Sequence, residues 1–139
     1  MNNASKLDPI AKINRQHEQN AGRRHGETLR NMQQQQKQLE ELINYRDYYT
    51  KAFLSASEAG ISVVQMQEYK LFISRLDEAI ALQTNQVTNV QNHCEISQKD
   101  WMQKRNKRRM IEKAIENRQH AEQKALDRRE QKEQDDLPR

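Results

Sequence analysis

The feature that most constrains this chain is an apolar repeat in alternating steps of three and four residues, interrupted once, around Gly60. Before the interruption the repeat runs through His25, Thr28, Met32, Gln35, Leu39, Leu42, Arg46, Tyr49 and Phe53, with Leu29 and Ile43 widening the stripe. After it the repeat runs longer, through Tyr69, Ile73, Leu76, Ile80, Gln83, Val87, Val90, Cys94, Ser97, Trp101, Lys104, Arg108, Ile111 and Ile115. Such spacing keeps one helix face apolar. Its average of about 3.5 residues per turn is met by a gentle left-handed supercoil of two helices.

The interruption reads as a helix stop followed by a helix start. Gly60 suits the left-handed residue that ends a helix, Ser62 with Gln65 fits a capping box, and Ile61 with Met66 stands at the spacing of a hydrophobic staple. Asp8 and Pro9 suit the beginning of the first helix, as cap and first helical residue. The expected fold is therefore all-α: a single domain over 1–139, a two-helix antiparallel coiled-coil hairpin with helix 2 longer than helix 1. Helix 1 is expected over about 8–58, the turn over about 59–62 and helix 2 over about 63–134. A turn this short makes position i of one helix face a position near about 120 minus i of the other. Beyond Ile115 the repeat continues into Arg118, Glu122, Ala125 and Arg129, so the C-terminal stretch has little to bury and is expected to fray.

Composition supports helices over a globular core. Charged residues make up 32% and apolar ones 34%, too little apolar material for a compact core, and three glycines with two prolines leave few turn formers. The patterning of the apolar residues and a net charge of only +4 argue against disorder of the whole chain. No apolar run reaches the length of a membrane span and residues 1–13 lack the apolar stretch of a secretory signal, so a cytoplasmic location is expected. His17, His25, His93 and His120 have no neighbours at ligand spacing, and Cys94 falls on the helix seam as a small hydrophobe. A two-helix fold also offers no pocket to desolvate an acid or base. No enzyme activity, metal or cofactor is expected.

Two features point to partner binding. Leu42, Tyr45, Tyr48, Tyr49 and Phe53 fall level with Phe72, Leu76 and Ala79 under the pairing rule, more rings and aliphatics than a narrow seam hides. Some are expected to face outward, as anchors for a protein partner. The second feature is basic. Residues 99–118 hold eight Lys and Arg against three acids, and 1–30 hold six against three. The pairing rule sets Arg15 near Arg105, and Arg23 and Arg24 near residues 96 and 97. The pattern suits an acidic partner surface. Without interleaved aromatics, and with acids close behind, it argues against nucleic acid.

Tyr45-Arg46 with Tyr49, then Gly60, Tyr69, Phe72, Leu76-Asp77, Ala79-Ile80 and Gln83, then Trp101, Glu112-Lys113, Arg128 to Glu133 and Asp135-Asp136 follow one another in a characteristic order. Across about residues 38–136 this resembles the FliJ family of flagellar export proteins. The resemblance implies a non-enzymatic, stalk-like component of the bacterial flagellar type III export apparatus, peripheral at the cytoplasmic face of the inner membrane. It implies as partners the hexameric export ATPase FliI, its regulator FliH, the export gate protein FlhA and export chaperones. The gate-contacting residues it implies are Gln38, Leu42, Tyr45, Tyr49, Phe72, Leu76, Ala79 and Gln83. Arg15, Arg23, Arg24, Lys104, Arg105, Arg108 and Arg109 would be held by the ATPase ring. The stalk of a virulence type III secretion system, or an unrelated coiled-coil scaffold or nucleic-acid-associated protein, are the alternatives.

Overall fold

The computed structural model describes residues 3–138 and consists of two long helices packed against each other, α1 (Asn3–Ala59) and α2 (Val63–Asp135). Among the described residues there is no strand, and α2 is the longer helix. The turn is built as its residues dictate. Gly60 has φ of +91°, and no atom lies within 4 Å of the point a Cβ would occupy, so the requirement for glycine there is backbone conformation and not space. Ser62 and Gln65 satisfy each other reciprocally: the Ser62 N–H donates to Gln65 Oε1 and the Gln65 N–H to Ser62 Oγ, both at 3.1 Å. This box supplies two of the partners that the start of α2 otherwise lacks.

Helix α1 starts at Asn3, five residues before the expected cap, with Pro9 inside it. Proline there removes one rung of the helical ladder. Packing offsets that cost, because Leu7 is half-buried and Ala11 buried on either side of Pro9, a contribution that a local capping rule does not see.

The chain divides into two compact units, one of Arg24–Ser97 and one of the segments up to Arg23 and from Gln98 onward. In the Arg24–Ser97 unit the expected seam is the real one. Leu76, Val87, Val90 and Cys94 are buried, and Met32, Leu39, Leu42, Tyr49, Phe53, Tyr69, Ile73 and Ile80 are half-buried. Ile43, expected to widen the stripe, is exposed. Polar layers punctuate this seam. The Gln83 amide donates to the Gln35 carbonyl at 2.9 Å and to Gln35 Oε1 at 2.8 Å. Buried His25 sets Nδ1 2.9 Å from Ser97 Oγ, which also lies 2.7 Å from Thr28 Oγ1. Such layers fix register, since a slipped pairing strands buried polar groups.

The second unit carries a seam that the apolar pattern does not reveal. Continuing the repeat upstream of His25 in steps of four and three leads to Ala21, Glu18, Asn14, Ala11 and Leu7, and of these Ala11, Asn14 and Ala21 are buried. Small residues let the helices approach closely. A Cβ placed on Gly22 would lie 3.1 Å from Trp101 Nε1, so the large ring on α2 fills the room left by small side chains on α1. From residue 119 onward every described residue is exposed, so the last turns of α2 have no helix beside them.

Candidate partner-binding surfaces

In the Arg24–Ser97 unit, six rings contributed by both helices gather along one stretch of the junction. Tyr45 meets Tyr49 at 4.9 Å between centroids and Phe72 at 6.1 Å, Tyr49 lies 4.5 Å from Phe72, Tyr48 lies 5.5 Å from Tyr49, and Phe53 lies 5.6 Å from Tyr69. These contacts are edge-on or tilted, the arrangement that aromatic quadrupoles favour. Spacing creates the cluster: 45, 48, 49 and 53 share one side of α1, and 65, 68, 69 and 72 share one side of α2. The rings hold one another while remaining open to solvent, with Tyr45 48% and Tyr48 66% exposed. Contact with the Tyr45 hydroxyl is the main cause that pushes the Tyr49 hydroxyl above its ordinary pKa.

Two grooves flank the ridge formed by Tyr45, Tyr49 and Phe72. One, of about 360 Å³, is lined by Gln38, Glu41, Leu42, Tyr45 and Gln83. The other, of about 390 Å³, is lined by Tyr49, Ile61, Gln65, Glu68, Tyr69 and Phe72. Of the residues that the family resemblance assigned to gate binding, Gln38, Leu42, Tyr45, Tyr49, Phe72 and Gln83 thus line this surface. Ala79 is half-buried and lines neither groove. Leu76 is only 7% exposed and belongs to the core between the helices. Sequence reasoning did not assign Glu41, Ile61, Gln65, Glu68 and Tyr69 to the surface. The steps 65, 68, 69 and 72, all on one side of α2, were the available signal. A third groove, of about 440 Å³, is lined by Ile43, Asn44, Arg46, Asp47, Thr50, Asp77 and Ile80. It is bridged by the pair Arg46–Asp77, whose hydrogen bond raises the Arg46 pKa.

The basic positions separate into engaged and open ones. Arg108 Nε and Nη2 donate to the two carboxylate oxygens of Glu18, the latter at 3.2 Å, and Nη1 donates to Glu112 at 3.0 Å. With side-chain exposures of 23% and 18%, Arg108 and Glu18 form an ion pair within the seam. The fork geometry of a guanidinium fits a carboxylate in this bidentate way. Glu18 is held below its ordinary pKa mainly by this hydrogen bond, and Arg108 is pushed up by Glu18 and then Glu112. Arg15, which the pairing rule sets near Arg105, pairs with Glu112 at 3.5 Å. Opposite charges within side-chain reach attract, which a pairing rule based on Cα levels does not weigh. Lys104 lies 3.7 Å from Asp100. Arg23 and Arg109 are exposed and Arg105 half-buried, none of them in an ion pair among the described residues, and Arg24 belongs to the other unit. Of the predicted set, Arg23, Arg105 and Arg109 are therefore the positions of this unit that stand outside any ion pair among the described residues.

Comparison with known proteins agrees with the resemblance read from the residues. A profile of the "Flagellar FliJ protein" family matches residues 3–138. A protein of Escherichia coli (strain K12) described as "Flagellar FliJ protein" is 31% identical over 87 residues, a stretch covering 63% of this chain and 59% of that relative. No solved structure gives a significant match. Among the described residues no helix is long and apolar enough to cross a membrane.

Proposed function

Because the chain belongs to the FliJ family of flagellar proteins, we propose that it is a non-enzymatic part of the bacterial flagellar type III protein export apparatus, working through protein contacts at the cytoplasmic face of the inner membrane. In this reading it binds the export gate protein FlhA through the aromatic face and the hexameric ATPase FliI, with its regulator FliH, through the basic unit, and it escorts export chaperones. The observation that carries the reading is the half-open ring cluster. A hairpin seam needs a narrow stripe, yet Tyr45 and Tyr48 stand outward beside two apolar grooves, held by neighbouring rings and so partly preorganised.

Phe72→Ala combined with Tyr45→Ala removes the ridge between the grooves and should weaken binding to the gate protein's cytoplasmic domain at least about tenfold, a loss of about 1.4 kcal/mol. Helicity by circular dichroism should be retained. Unchanged affinity would remove the gate from this account.

At the ATPase the action proposed is mechanical. A two-helix hairpin has no six-fold symmetry, so within a six-fold ring it meets the subunits unequally and biases which interfaces close on nucleotide. Adding the protein should raise both the hexamer fraction and ATP turnover. If sedimentation and turnover stay as they are in its absence, the ring role is wrong.

A further inference from the structure

We propose that the aromatic face is built for one kind of ligand: an amphipathic helix that places two apolar side chains two to three turns apart into the two grooves and carries Lys or Arg beside them. This deepens the reading of that face as a docking surface and rests on it. Three observations lead here. Along α1 the step from Leu42 in one groove to Tyr49 in the other is seven residues, or about 10 Å, and along α2 the step from Gln83 to Phe72 is eleven, or about 16 Å, so the grooves lie two to three turns apart, the rise between positions i and i+7 or i+11 of a partner helix lying alongside. Their apolar and aromatic lining is supplied by Leu42 and Tyr45 in one and by Tyr49, Ile61, Tyr69 and Phe72 in the other.

The third observation concerns charge. Each groove has one glutamate among its lining residues, Glu41 in one and Glu68 in the other, and neither groove is lined by Lys, Arg or His. Both glutamates are exposed, and among the described residues their carboxylates take part in no ion pair or hydrogen bond. Asp47 and Asp77, at the third groove, are by contrast matched to Lys51 and Arg46. Two unmatched carboxylates beside apolar grooves favour a ligand that brings the opposite charge. This local demand opposes the sign of the whole chain, whose net charge of +4 attracts acidic partners. The charge of the ligand therefore distinguishes the groove pair from general electrostatic attraction.

The test uses synthetic helical peptides with the same apolar pair, placed at i and i+7 or at i and i+11, each spacing made in a Lys-flanked and a Glu-flanked form, and fluorescence anisotropy against the full chain. The Lys-flanked form should bind at least about tenfold more tightly, and its advantage should shrink as salt is added. Glu41→Gln with Glu68→Gln should bring the two forms to within about twofold, while Phe72→Ala should weaken both. Equal affinities, a preference for the Glu-flanked peptide, binding of neither, or a preference that survives Glu41→Gln with Glu68→Gln would overturn the proposal. Gate-domain binding of the wild-type chain, measured in parallel, separates this outcome from failure of the docking role: a gate domain that binds while all the peptides fail rejects only the basic-helix ligand.

Discussion

Leu76→Ala is expected to destabilise the helix pair by about 2–3 kcal/mol, the cost of emptying a buried leucine site that cannot fully collapse. The side chain is 7% exposed on α2, beside the half-buried Ile73 and Ile80 of the same seam. Urea denaturation followed by circular dichroism should show a lower midpoint with an unchanged slope. A loss below about 0.5 kcal/mol, the range of ordinary surface changes, would place Leu76 back on the binding surface. The result matters for function, because Leu76 stands among the residues that the family resemblance assigns to gate contact. Weakened gate binding in Leu76→Ala would report a loosened scaffold, whereas Phe72 and Tyr45 reach the surface itself.

Acid is expected to loosen the unit that contains Glu18 and Arg108. Glu18 titrates near its ordinary 4.5 in the unfolded chain and lower in the folded one, where Arg108 holds it ionised. The pair's contribution is then fully present above pH 4.5 and is lost as the pH falls through the depressed folded value. Arg108 remains charged throughout, so only the carboxylate switches. Trp101 is the chain's single tryptophan, lies in this unit and sits against Gly22, so its emission reports the unit's opening. Wild type should lose stability as the pH falls below the ordinary carboxylate value of 4.5, while Glu18→Gln should begin less stable and change less over the same range. The same acid sensitivity in both proteins would show that this pair contributes nothing to the effect.

The sequence is most legible where side chains are large and chemistry is local. Ser62 and Gln65 close their box, Gly60 takes the positive φ, and every position of the α2 repeat from Tyr69 to Ile115 is buried or half-buried. It is least legible where the seam is made of small or charged residues. Ala11, Asn14, Glu18 and Ala21 keep the spacing of the repeat, but alanine carries little hydrophobic signal, and a glutamate reads as solvated until an arginine from the other helix reaches it. Helix α1 therefore extends through Pro9, upstream of the start that capping rules suggested.

Periodicity and the one glycine break determined that two unequal helices fold back on each other and that aromatic side chains crowd part of their junction, because both follow from the backbone and from residue spacing. Only the tertiary structure decided which crowded residues are accessible, separating Leu76 in the core from Tyr45 and Phe72 on a grooved face, and which charges are already matched, as in Arg108 with Glu18. Those outcomes depend on side-chain reach and rotamer choice across the helix pair, on distances of a few ångströms that residue spacing along the chain does not specify.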